Sequence, residues 1–411
     1  MIHYYCLSTC TSRKHRMRTI FLLLFVAHAG LSQQAGIKFS PMPVEKVFQE
    51  AQRTGKPVFV EVFSPTCHTC QSFVPTLADA RVGKFYNSKF ISTKVDIAQP
   101  ATRAFLTKNR LFVPSLPLFL YFDPKQNLVH FALSTNSADE VIRHGTNALN
   151  PQARSQNMKS RYQQGERSAS FLIDYAMHGR VTNDTLASIA AMNDYARQQS
   201  PAQFANKTNW LALQKLVLDF ENPLFQYMLN HMDQYRKAYG ADQAEQVADN
   251  ILMSSLYSSR GAQYPVAKIL QIRQDLAKIG IDPKVAANRT LLPEVNAYFR
   301  AHQTAKAAER MDSQVNANQF SVPEYLYVAR LFNRTSPDAA DAPTVAKWVG
   351  KALAMRPPAK EQADLYFELA EAYRRGGRTA DAQKAAQKSM ELAQTARLDT
   401  RRNVEQMGKL K

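Results

Sequence analysis

Apolar positions along the first third of the chain follow two periods, and each predicts a different element. Val44, Val47, Phe48 and Ala51 recur at i, i+3, i+4 and i+7, one face of a helix that Gly55 would stop. Pro57-Val-Phe-Val-Glu-Val-Phe63 is instead a short, continuous run rich in β-branched residues, the pattern of a strand buried on both faces. Phe90-Ile-Ser-Thr-Lys-Val-Asp96 reads as a second core strand, followed by a polar helix over about 101–109. Residues 118–122 and 128–133 form a hairpin across Asp123-Pro-Lys-Gln-Asn127, and a helix over about 138–148 closes the unit. With one helix placed between the first two strands, residues 37–150 read α-β-α-β-α-β-β-α.

Beyond residue 150 strand signals fade and helical spacing takes over. Leu213, Leu216, Val217 and Phe220 make one stripe. Phe225, Met228, Leu229 and Met232 make the next, behind Asn222-Pro223, which reads as an N-cap with proline at the first helical position. Such stripes are core, so the segment 151–320 reads as all-helical. From Tyr366 to Ala382 the spacing resembles a tetratricopeptide repeat, with small residues at the helix crossing and Gly377 in the turn. Ala352-Leu353 with Pro357 resembles the tail of a degenerate preceding unit, giving a repeat-like segment over 321–411. One good unit and one poor one need neighbouring helices to bury their faces. The array reads either as a concave surface for a protein partner or as a structural cap.

The start of the chain differs from both. Met17-Arg-Thr is followed by an apolar run and small residues up to Ala29 and Ser32, the form of a secretory signal peptide with cleavage after either residue. The run is too short to span a bilayer. Residues 1–16, polar and basic, read as lying ahead of the true start. No cysteine stands at a cleavage point where a lipid anchor would attach, so the expected mature protein is exported, periplasmic or secreted, and not membrane-spanning. Residues 1–32 hold four Lys or Arg and no acid, so the net charge of +18 falls to +14 on their removal. For an exported chain with no Lys/Arg stripe interleaved with aromatics, that balance does not point to nucleic acid; it describes a solvated basic surface.

Export also changes the cysteine count. Cys6 and Cys10 leave with the first 32 residues, and Cys67 and Cys70 remain. They sit in Glu61-Val-Phe-Ser-Pro-Thr-Cys67-His-Thr-Cys70, after a predicted strand and at the start of a predicted helix. Two cysteines with one adjacent histidine do not make the four-ligand set of a structural zinc site; a weaker, third reading has two chains sharing one across their C-x-x-C motifs. A four-residue structural loop removes little unfolded-state entropy, so a working dithiol is the better reading. At a helix N-terminus, Cys67 would face unpaired backbone N–H groups and the positive end of the helix dipole, which favours the nucleophilic thiolate. Cys70, one turn on, would resolve the mixed disulfide. Glu61, an acid inside an apolar strand, should point inward, where burial holds its proton for transfer to or from Cys70. Pro75 would kink the helix early.

Taken together, Glu61, the C-x-x-C pair, Pro75 and Pro117 resemble the thioredoxin superfamily. Its pattern has a buried acid six positions before the first cysteine, a proline five after the second, and a cis-proline facing the thiols from a later strand. The segment is most similar to exported members, such as the soluble C-terminal domain of the periplasmic transmembrane disulfide reductase and related thioredoxin-like lipoproteins, sharing the entry Gly55-Lys-Pro-Val and the later Asp79-Ala-Arg-Val. The resemblance implies a cis Leu116-Pro117 bond, with the Leu116 backbone free to pair with an incoming peptide. Two departures stand out: Thr66 replaces the usual tryptophan, and His68-Thr69 the usual Gly-Pro. Both residues flank Cys67, where they would touch substrate. A protonated His68 would stabilise the thiolate; otherwise it is simply solvated. Lys94 either approaches Glu61, as a lysine does in some relatives, or is a solvated strand-end residue, the better expectation.

The fold class expected is therefore an α/β thioredoxin fold followed by an all-α helical-repeat region. The function expected is thiol–disulfide exchange with protein dithiols and disulfides, without nucleotide, flavin or metal cofactor. The alternative is a partner-binding helical-repeat protein whose thioredoxin-like part is a platform with an idle disulfide.

Overall fold

The computed structural model describes residues 36–410. The expected signal peptide and the residues before it lie outside the described residues. Helix α1 (Val44–Thr54) buries Val44, Val47, Phe48 and Ala51, the stripe the spacing marked, and Gly55 ends it at φ 69°. Strand β1 (Val58–Phe63) follows at once, and β2 (Ile91–Asp96) pairs with it in parallel. Strand β3 (Leu118–Phe122) pairs antiparallel on the other edge of β1, and β4 (Leu128–Ala132) extends the sheet in the order β2-β1-β3-β4.

Alternation along β1 divides the core. Val58, Val60 and Val62 join Phe48 of α1 and Phe105 of α4 (Pro100–Lys108) on one face. Phe59 packs on the other with Phe73 of α2 (His68–Leu77) and Tyr86 of α3 (Ala80–Lys89). A two-residue period places Glu61 on the Phe59 side, under α2. Helix α5 (Ala138–Leu149) covers the same face.

One helix was expected between β1 and β2, and there are two. Pro75 lies in the last turn of α2 and has no N–H to donate, the helix stops at Leu77, and the Asp79 carboxylate accepts the N–H of Arg81 (2.7 Å) and of Val82 (3.4 Å) to start α3. Pro75 thus accompanies a helix end rather than an early kink.

After α5 the described chain is helical to its end, twenty α-helices in all among the described residues. Helix α6 (Met158–Gln163) leads into α7 (Ala169–Val181), whose Met177 and Val181 pack into the core beneath α1 and β1. One hydrophobic cluster then runs from Phe171 to Ala297, and a second from Val295 to Leu410. The stripe Leu213–Phe220 is buried as expected, but its second half is not helical: the helix ends at Lys215. Ser255 supports the change: its hydroxyl accepts the Phe220 N–H (2.7 Å) and shares its proton between the Ile251 carbonyl (2.8 Å) and the Leu218 carbonyl (3.1 Å), so backbone groups that a helix would otherwise pair are met from outside. The next stripe is also divided, between helices Pro223–Asn230 and Met232–Tyr239, with Asn222 capping the first by accepting the Leu224 N–H at 3.0 Å. Near the chain end, Gly377 at φ 72° turns the chain between helices Ala359–Arg375 and Thr379–Thr395, which pack on each other.

Candidate active site

β1 ends at Phe63, the loop Ser64–Thr66 is held by a 3.0 Å hydrogen bond between the Ser64 and Thr66 hydroxyls, and α2 begins. Cys67 is the N-cap of α2: its sulfur accepts the backbone N–H of Cys70 at 3.1 Å. That sulfur therefore takes a backbone donor that the helix cannot satisfy from within, at the end where the dipole is positive. Both cysteines are free thiols, Cys67 part-exposed and Cys70 buried. Burial, the hydrogen bond with Cys67 and the charges of Cys67 and Glu61 push the Cys70 thiol up to about 11. The outer sulfur is thus accessible, while the inner one holds its proton.

Glu61 is only 5% exposed, and burial raises its carboxyl to about 7, with Lys94 pulling the other way. Lys94 faces Glu61 directly across the parallel β1–β2 register, with its ammonium 5.3 Å from the Phe63 ring centroid and 5.5 Å from that of Phe39. Of the two expectations for Lys94 the structure has parts of both: it is solvated, but it sits mid-strand rather than at the strand end, and it acts electrostatically on Glu61. A cavity of about 630 Å³ opens beside this pair, lined among others by Glu61, Cys70, Lys94, Phe39, Phe63 and Val74. Sequence reading missed the contribution of Ile37 and Phe39 to it, although their alternation before α1 was a signal: Phe39 forms a parallel bridge to Ser92 of β2.

From the other side, the Leu116 carbonyl oxygen lies 4.0 Å from Cys67 Sγ, and the Leu116-Pro117 bond is cis. Leu116 is part-buried and Pro117 buried. Thr66 and His68 are both exposed, flanking Cys67. The structure therefore brings Glu61, Cys67, Cys70, Leu116 and Pro117 to one end of the sheet, with Thr66 and His68 at its rim. Among the described residues no group of three or more His, Cys, Asp or Glu is arranged to hold a metal ion, and no helix is long and apolar enough to cross a membrane.

A family described as thioredoxin-like matches residues 41–124, which takes in α1 through β3 and every residue of this constellation. No curated protein matches the chain. The N-terminal part is a thioredoxin-like domain, a fold consistent with oxidoreductase chemistry in general.

Proposed function

We propose that this protein is an exported thiol–disulfide oxidoreductase working through Cys67 and Cys70, with a thioredoxin-like unit over 37–150 carried by helical units over 151–320 and 321–411. The observation that carries the reading is the asymmetry of the two sulfurs: Cys67 is part-exposed and caps α2, while Cys70 is buried with a raised pKa beside a carboxyl that titrates near neutrality. In the reducing direction the Cys67 thiolate attacks a client disulfide, forming a mixed disulfide and releasing one client thiolate. Cys70 then attacks Cys67 Sγ as Glu61 accepts its proton, and the second client sulfur leaves. Two electrons pass to the client, whose two sulfurs end as thiols, and Cys67–Cys70 ends as a disulfide. The reverse sequence oxidises a client dithiol. Leu116, next to Cys67, offers backbone to the client strand, and Thr66 and His68 border it.

Cys67→Ser in the full chain should abolish exchange with a test disulfide, and Cys70→Ser should trap the mixed disulfide. Unchanged turnover by Cys67→Ser would sink the assignment. The platform reading, favoured by Thr66 in place of tryptophan and by the large helical share, requires a pair that never cycles. Its potential would lie below about −300 mV, whereas working pairs of this fold span roughly −120 to −270 mV.

A further inference from the structure

Arg180, the penultimate residue of α7, is a cation that the fold keeps without an acid. Its Nε is shielded from solvent and has no hydrogen-bond partner among the described residues. Burial lowers its pKa from the ordinary arginine value, with no carboxylate acting on it. Its guanidinium carbon stands 4.8 Å from the Phe112 ring centroid. Together they line a cavity of about 260 Å³ whose walls include Leu218, Tyr257, Asn183 and Thr185. Phe112 is 44% exposed and Tyr257 65%, so the cavity is rimmed by aromatic surface open to solvent.

Arg180 is part-buried, and a guanidinium partly withdrawn from water without a counter-charge carries a cost that is offset when a carboxylate arrives to occupy its fork of donors. The position of the cavity relative to the thiols identifies where that carboxylate would come from. Phe112 belongs to the loop that ends in Leu116, and its N–H donates to the Val181 carbonyl at 2.9 Å, fixing that loop to α7. Phe112 and Leu116 are four residues apart, so at most about 14 Å of chain separates them. A polypeptide lying along Leu116 beside Cys67 is therefore within about 14 Å of Phe112, and Arg180 lies against that ring. A second copy of this chain is a poor occupant, since its net charge of +18, or +14 without the first 32 residues, opposes self-association.

We propose that the Arg180–Phe112 cavity receives an aspartate or glutamate side chain of the client polypeptide, about four to six residues from the cysteine that reacts with Cys67. This deepens the thiol–disulfide reading and rests on it. The site selects acidic clients: the guanidinium takes the carboxylate, and Phe112 and Tyr257 cover the apolar part of the same stretch.

The test uses the reduced full chain and peptide disulfides that differ only by Glu or Gln, placed four to six residues to either side of the reacting cysteine. Glu peptides at one of these spacings should be reduced in a single turnover with a second-order rate constant about tenfold above their Gln partners at low ionic strength, with the ratio shrinking in high salt. In Arg180→Gln the ratio should fall to about one, and Arg180→Lys should keep part of it. Because the ratio is taken within one protein, a general loss of activity or folding yield cancels, and the wild-type salt dependence stands even if a variant does not fold. Equal turnover of Glu and Gln peptides at every spacing overturns the proposal and leaves the redox reading intact. So does competition by acetate or phosphate as strong as that of the Glu peptide, which would assign the cavity to a small anion. Failure to turn over either peptide or a small aromatic disulfide overturns the redox reading, and with it a client site defined by its distance from Leu116.

Discussion

Glu61 and Lys94 stand opposite each other in the parallel register of β1 and β2, one side chain buried and the other exposed, and both line the cavity behind Cys70. Burial dominates the carboxyl, which titrates near 7 despite the neighbouring ammonium. The folded protein therefore holds a proton there that the unfolded chain, with its ordinary value of 4.5, has already released.

Glu61→Gln should act on rate and on stability in opposite directions. Removing the proton acceptor should lower kcat/KM for disulfide exchange by about a hundredfold. Folding with a raised carboxyl pKa means that Glu61's own contribution to wild-type stability falls as pH rises from about 4.5 to 7, by about 3 kcal/mol in total. Glutamine has nothing to ionise, so the variant should gain that amount on wild type between pH 4 and pH 8. Urea unfolding at the two pH values measures the difference; an equal difference at both would mean that Glu61 is not buried in its charged state.

Lys94→Met removes the group that holds the Glu61 carboxyl down. The limb of the pH–rate profile that reports Glu61 should move to higher pH, while Lys94→Arg, which keeps the charge, should leave it nearly in place. Solvent screens the exposed ammonium, so the shift should shrink as salt is added. A limb that stays put in Lys94→Met would separate the lysine from the carboxyl.

What could be read in the sequence was whatever is fixed by neighbours along the chain. The β1 run, the helix-opening C-x-x-C and the Gly55 stop are local patterns, and each stands where the pattern places it. The misreadings arose where distant groups decide. Leu216 to Phe220 carries helical spacing, yet Ser255 takes up its backbone groups from another helix. Lys94 is solvated as its charge suggests, but its approach to Phe39, Phe63 and Glu61 has no local signal, because those partners come from separate segments. Arg180 and Phe112 are 68 positions apart, and no periodicity joins them. Asp79 is the exception: its cap is a local signature, and a single helix between β1 and β2 leaves that signature without a role.

Arg375 and Asp341 form a pair between helices near the chain end, with Nη2 2.6 Å from Oδ1 and the carboxylate fully buried. Arg375→Met would leave that carboxylate without its partner and should destabilise the C-terminal helices by about 3–5 kcal/mol. The double variant Asp341→Leu/Arg375→Met should lose less, because no charge is left buried. Urea unfolding of the three proteins checks this, and a double variant no better than the single one would point to packing rather than charge.

Acid should weaken the protein through three histidines where α7 meets the edge of the sheet. His130 of β4, His144 of α5 and His178 of α7 are held by burial at about 3, 4 and 4. The rings of His130 and His144 lie 5.8 Å apart, and His178 lies 6.0 Å from Phe131. His130 Nδ1 accepts the Ser155 N–H at 3.2 Å, while its Nε2 and the Nδ1 of His144 have no partner among the described residues. These depressed values mean that, below the ordinary 6.5, the unfolded chain takes up protons that the folded one refuses. Stability conferred by the neutral rings is full above that pH and is lost as pH falls toward 4. Each ring contributes a slope of up to about 1.4 kcal/mol per pH unit. Glu61 works against them in the same window, since there the folded state holds the extra proton. Between about pH 5 and 6 the unfolding free energy should therefore drop with a net slope approaching two protons. Glu61→Gln should steepen that slope toward three, and His144→Phe should flatten it toward one. Proton uptake on unfolding, taken from urea curves at closely spaced pH values, is the measurement; a slope unaltered by either substitution would show that these groups do not carry the acid response.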